Sequence, residues 1–142
     1  MSIEKRGRVL GVDYGDVRTG IAISDDSRFL ASGIATLREN GMVKTAERVA
    51  HEAKARGAAL IVCGLPRNMD GSEGGRAEVI RVFVGYLAER TDIPIELWDE
   101  RLSTVEAHRI LSSSNVGGRK RKAVVDTLAA EIILQSFLDA HK

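Results

Sequence analysis

The chain has 142 residues, 44% of them hydrophobic and 29% charged, with a formal net charge of +1. That length suits one domain, 1–142, around one core, and that composition excludes a disordered chain. The near-balanced charge excludes a globally cationic nucleic-acid binder and leaves such binding to a local patch. Residues 8–13, RVLGVD, read as a first strand that ends on a carboxylate, Asp13. Residues 19–24, TGIAIS, alternate well enough for a second strand, and residues 29–36, FLASGIAT, make a weaker third after the turn formers Asp25, Asp26 and Ser27. Three strands joined by short turns predict an antiparallel meander.

The period then changes. Val43, Ala46, Val49, Ala50 and Ala53 mark a helix face, with Gly57 where a C-terminal cap belongs. AALIVCGL follows, an almost unbroken apolar run suited to a strand covered on both faces. PRNMDGSEGG is a loop, Ala77, Ile80, Val84 and Leu87 mark a second helix, and IPIELW is a further strand. Ser103 and Glu106 form a capping box that starts a third helix at about Thr104. SSSNVGGRKRK reads as a flexible basic loop, and a final helix runs from about Lys122 to Leu138.

The predicted architecture is α/β, a mixed five-stranded sheet carrying helices. Its first, fourth and fifth strands run parallel and end at one edge, where open sheets of this kind bind ligands. The lone cysteine, Cys63, lies in an apolar run and points to a reducing compartment. No apolar stretch approaches the roughly 18 residues of a membrane span. The basic start MSIEKRGR has no long apolar segment after it, so no membrane contact is expected and a cytoplasmic location is.

Three segments aim acids at that edge. Asp13 ends the first strand, Asp99 and Glu100 end the fifth, and Asp126 comes from the last helix. The helical neighbours of Asp126, Ala123, Ala129, Ala130, Ile133 and Phe137, are all apolar, so a charge lies on a buried stripe. A buried charge is costly unless it is paired or bound to a metal. Carboxylates are hard ligands suited to Mg²⁺ or Mn²⁺, and two such ions support phosphodiester cleavage. Structural alternatives stand beside this reading: a turn residue at Asp13, an ion-pair cluster at Asp99–Glu100–Arg101, and pairing of Asp126 with Arg101 or Lys122.

GVDYGDVRTGIAISD, VCGLPRNMDGS, WDERLSTVEA and RKAVVDTLAAEIILQSFLD, in that order over nearly the whole chain, closely resemble the YqgF (RuvX-like) family. Its members are candidate pre-16S rRNA nucleases or Holliday junction resolvases. The resemblance implies a ribonuclease H-like fold with strand order 3-2-1-4-5 and helices on both faces. It also implies a metal-dependent hydrolase of phosphodiester bonds, with Asp13, an acid of the DER motif and Asp126 as catalytic metal ligands, and two Mg²⁺ or Mn²⁺ ions as cofactors. Glu100 is preferred over Asp99. Strand alternation sets the two on opposite faces, and the sequence does not say which face is the site. The bacterial junction resolvase proper carries its second acid in the strand matching ALIVCGL, where this chain has none.

Arg119, Lys120, Arg121 and Lys122 follow Gly117 and Gly118 and suit phosphate contact. Arg67 and Asn68 should border the site, as should Arg101, and the helix after Ser72, Gly74 and Gly75 offers free amides to an anion. The expected partner is nucleic acid, with processing of the 5′ end of precursor 16S rRNA favoured and branched DNA as the alternative. The expected state is a monomer or a weak homodimer. Two rivals remain: a phosphate loop of the actin and sugar-kinase type at GVDYGDVRTG, against which stands the absence of a second similar domain, and a non-catalytic binding domain, which gains nothing from acids near phosphate.

Overall fold

A computed structural model of the chain describes residues 6–107 and 119–142, with the side chains of the last helix described from Thr127 onward. Its elements are β1 (Arg8–Asp13), β2 (Thr19–Ser24), β3 (Ala31–Leu37), α1 (Met42–Ala55), β4 (Ala58–Leu65), α2 (Gly75–Ala88), β5 (Ile95–Asp99), a 3-10 turn (Glu100–Leu102) and α3 (Arg119–Ala140). The strands lie in the order β3-β2-β1-β4-β5. β1 pairs antiparallel with β2, and β2 with β3, while β1, β4 and β5 run parallel.

Strand alternation divides the core in two. Leu10, Val12, Ile21, Ile61, Cys63 and Leu65 pack on the face covered by α1 and α2, where Val49, Phe83 and Leu87 are fully buried. Val9, Ala22 and Val62 face the other way, against Ala130, Ile133, Leu134 and Phe137 of α3. Burial pushes the Cys63 thiol up to about 12, so it stays protonated in the core.

α3 sits close to the sheet because one row beneath it carries almost no side chain. Gly33, Ala22 and Gly11 form one cross-strand row. A Cβ built at Gly11 would lie 2.7 Å from Leu134 Cβ and 3.2 Å from the Ala130 carbonyl oxygen, and one at Gly33 would lie 2.5 Å from Thr127 Cγ2. Polar contacts fix the direction of the helix. Gln135 Oε1 accepts from Ala31 N (2.8 Å), Glu131 Oε1 accepts from Gly33 N (3.1 Å), and the Thr127 and Thr36 hydroxyls bond at 2.7 Å. As the helix ascends from 127 to 135, β3 descends from 36 to 31, so α3 runs antiparallel to β1. Ala130 and Leu134 lie over Gly11. Thr36, which bonds Thr127, is in register through Gly20 with Asp13, and Asp126 immediately precedes Thr127.

Three expectations need correction. β3 starts at Ala31, not at 29, because Asp25 Oδ1 accepts from the Phe29 and Leu30 amides (2.8 and 2.9 Å) and so extends the turn. α2 buries Phe83 where periodicity favoured Val84, since Tyr14 stacks on the Phe83 ring at 4.3 Å. α3 begins at Arg119, so the four cations predicted for a loop occupy helix; Arg and Lys are good helix formers, and nothing after Gly118 breaks the run. Residues 105–107 are helical, and the rest of the helix predicted from Thr104 lies outside the described residues.

Gly11→Ala should destabilise the fold by about 1–3 kcal/mol through overpacking against α3. Gly85→Ala, in the interior of α2 with nothing within 4 Å of the added Cβ, should stabilise it by about 0.5–1 kcal/mol. Urea denaturation of both variants reads the contrast.

Candidate active site and nucleic-acid interface

The C-terminal ends of β1, β4 and β5 open into a cavity of about 220 Å³ whose lining includes Asp13, Arg18, Gly64, Arg76 and Glu100. A larger cleft of about 580 Å³ continues from it, lined among others by Arg67, Asn68, Gly75, Arg76, Glu100 and Arg101. Glu100 and Arg76 belong to both, so the acids and the cations form one continuous surface.

Asp99 and Glu100 do different things. β5 stops at Asp99, and the chain enters the 3-10 turn, which breaks the strand alternation. Asp99 caps that turn by accepting from Arg101 N at 2.9 Å, and its carboxylate also takes Arg101 Nε at 3.0 Å and Nη2 at 2.6 Å. These hydrogen bonds hold the Asp99 carboxyl below the usual carboxylate range. Glu100 turns inward and is only 8% exposed, an uncommon degree of burial for a glutamate. Ser103 bonds back to the Glu100 carbonyl through its amide (3.1 Å) and its hydroxyl (2.8 Å), and Ser136 of α3 donates to the Leu102 carbonyl at 2.8 Å. The turn that carries Glu100 is thus clamped from both sides.

The predicted acids divide accordingly. Asp13 and Glu100 share the cavity, Asp99 is committed to Arg101, and the Asp126 side chain lies outside the described residues. Among the described residues no three His, Cys, Asp or Glu side chains form a metal-ligand group. The donor set fits a hard divalent cation all the same: two carboxylates meet there, and the lining described holds neither thiol nor imidazole.

The predicted cations are also placed. Arg67 lines the larger cleft, with Nη2 3.5 Å from Glu73 and Nε 4.0 Å from Asp99; that Nε is buried without a hydrogen-bond partner among the described residues. Asn68 lines the same cleft and staples its own loop, donating to the Ser72 hydroxyl at 2.9 Å. Arg101 is held by Asp99 and reaches the Met69 carbonyl at 3.5 Å. Arg119, Lys120, Arg121 and Lys122 open α3, and their side chains lie outside the described residues. Ser103 Oγ accepts from Val105 N, while Glu106 lines the larger cleft.

Sequence reasoning missed Arg76. It donates to the Tyr14 carbonyl at 2.7 Å and to Asp16 at 3.1 Å, with its guanidinium 5.6 Å from the Tyr14 ring centroid, and so ties the β1–β2 turn to α2. Burial raises the Tyr14 pKa, an effect that Asp16 adds to and Arg76 opposes. A signal was present: a cation in the first turn of a helix opposes the helix dipole and asks for another reason. Arg18 was passed over inside the GVDYGDVRTG motif, where the acid drew attention.

The fold is shared with Thermus thermophilus RuvC. The free protein matches at a TM-score of 0.55 with 11% identity, over 94% of this chain and 95% of that one; RuvC in complex with a Holliday junction substrate matches at 0.54. With the strand order, this places the chain in the ribonuclease H-like class of α/β folds. Residues 7–140 match the sequence profile of RuvX, described as Holliday junction resolvase. A protein of Heliobacterium modesticaldum is 44% identical over 133 residues, covering 94% of this chain and 89% of its own. One from Pelotomaculum thermopropionicum is 42% identical over 135 residues, covering 94% and 88%. Both carry the name "Putative pre-16S rRNA nuclease". The chain belongs to the RuvX family.

Because the Asp99 pKa is depressed on folding, its stabilisation is complete above the ordinary carboxylate value and is lost as the pH falls through the folded one. Asp99→Asn should therefore cost about 1 kcal/mol at pH 7. The gap to the parent chain should close below about pH 4, read by urea denaturation across pH.

Proposed function

We propose that this chain is a divalent-metal-dependent nuclease that processes the 5′ end of precursor 16S rRNA in the cytoplasm. The observation that carries the reading is the meeting of Asp13, from the end of β1, with the buried Glu100, from the turn after β5, in one cavity that continues into an arginine-lined cleft. Asp13, Glu100 and Asp126 would hold two Mg²⁺ or Mn²⁺ ions; Asp126 adjoins Thr127, whose hydroxyl bonds Thr36 in the row of Asp13, which supports its membership. The chemistry such ions supply when bound is activation of water and stabilisation of charge on the phosphate.

The protein's own groups bind and orient. Arg76 and Arg18 line the cavity with the acids, where a guanidinium can hold a phosphate oxygen, and Arg67, Asn68 and Arg101 line the path beyond. Arg119 to Lys122 stand at the N-terminus of α3, where cations add to the helix dipole instead of offsetting it. That arrangement is unfavourable for an isolated helix and favourable for one that meets a polyanion. The names of the relatives support precursor rRNA as substrate.

The description of the family profile favours a second reading, resolution of four-way DNA junctions. That reading requires two symmetric cuts and hence a homodimer, whereas rRNA processing needs only a monomer. Among the described residues no helix is long and apolar enough to cross a membrane.

Asp13→Asn and Glu100→Gln should each lower Mn²⁺-dependent cleavage of precursor 16S rRNA by about 100-fold or more while leaving RNA affinity nearly unchanged. Chelation by EDTA should abolish cleavage. Incubation with labelled precursor rRNA and with a four-way junction checks both readings. Unchanged cutting by both variants contradicts the mechanism, and symmetric junction cleavage without rRNA cleavage selects the second reading.

A further inference from the structure

Gly64 is the one residue of β4 without a side chain, in a strand that lies inside the sheet between β1 and β5. Glycine weakens a strand interior, so its presence there asks for a cause. Backbone conformation is not that cause, since Gly64 is not among the glycines with positive φ. Close approach is. A Cβ built at Gly64 would lie 3.3 Å from Glu100 Cγ and 3.4 Å from Glu100 Cδ, the carboxyl carbon itself. It would also lie 2.7 Å from Ile133 Cδ1. The two neighbours differ in kind. The Ile133 methyl is the free end of an aliphatic chain and can swing away. Glu100 sits on a turn pinned by Asp99, Ser103 and Ser136, and it is itself buried, so its side chain has little room to move away.

We propose that Gly64 is the positioning residue for the Glu100 carboxylate: the side chain missing from β4 is the space into which the acid on the next segment folds. This rests on the reading of Glu100 as a metal ligand. β4 contributes no acid to the site and contributes room instead. An alanine at this position shifts the carboxylate by a few tenths of an ångström, enough to spoil a coordination geometry without unfolding the sheet. Displacing a group that orients a ligand typically costs about 10–100-fold in metal affinity.

The test is a cycle of Gly64→Ala with Glu100→Ala, made in an Ile133→Val background that removes the competing methyl. Metal-free melting temperature, Mn²⁺ affinity by calorimetry and rRNA cleavage are read on the four chains. With Glu100 present, Gly64→Ala should lower the melting temperature by about 3–8 °C. In the Glu100→Ala background the loss should be less than half as large. Mn²⁺ affinity should fall about 10-fold or more on Gly64→Ala, and no further when Glu100 is already gone. An equal melting loss in both backgrounds overturns the proposal, as does a Gly64→Ala chain with parental Mn²⁺ affinity. Should Gly64→Ala fail to fold, recovery of a cooperative melt on removing the Glu100 side chain supports the proposal, and failure in both backgrounds overturns it. If Glu100→Ala keeps the parental Mn²⁺ affinity, the metal reading of the site fails, while the metal-free melting cycle still decides the contact.

Discussion

The separation between α3 and the sheet governs everything else in this molecule. Ordinary side chains on both surfaces would hold the helix farther out. The row Gly33, Ala22 and Gly11 lets it settle until Leu134 Cβ and the Ala130 carbonyl press on β1 itself. Glycine in strands costs conformational entropy and packing area. Burial of Ala130, Ile133, Leu134 and Phe137 against the sheet offsets that cost. That seat sets Thr127 against Thr36, in the row of Asp13, and Asp126, proposed as the third ligand, adjoins Thr127 in sequence.

Around the acids, the charges are sorted by geometry more than by number. The net charge of +1 gives no hint of a polyanion-binding surface. Yet Arg67, Arg76 and Arg101 share a cleft beside two carboxylates, and Asp99 and Asp16 hold two of those arginines at fixed angles. A guanidinium already steadied by an acid loses less side-chain freedom when phosphate arrives. On the proposed reading, the Arg76–Asp16 pair at the rim serves orientation, as its exposure leaves it little to add to stability.

Much of this was legible in the sequence. The bounds of β1 and β2 were readable, those of β2 from alternation, and the buried strand β4 from an unbroken apolar run. The meander followed by strand–helix units set the sheet type, while the strand order came from family resemblance and agrees with the fold. The choice between Asp99 and Glu100 could not be read, because alternation stops at the 3-10 turn and capping takes Asp99 out of the cavity. Gly64 carried no signal of its own, as its meaning depends on a glutamate from another segment. Arg76 carried one, a cation at the wrong end of a helix, that is readable only by asking why a residue opposes the local field. The start of α3 was misplaced because glycines beside a run of cations resemble a loop, although the cations themselves are good helix formers.

On the proposed reading, α3, let close to the sheet by glycines, completes a carboxylate cage at the strand ends. A crystal of the full chain soaked in Mn²⁺ and read by anomalous scattering tests it most directly. Peaks bounded by the carboxylates of Asp13, Glu100 and Asp126 are expected, with Asp99 still bound to Arg101. Manganese held by Asp99 in place of Glu100, or an Asp126 carboxylate turned away from Asp13, would contradict it.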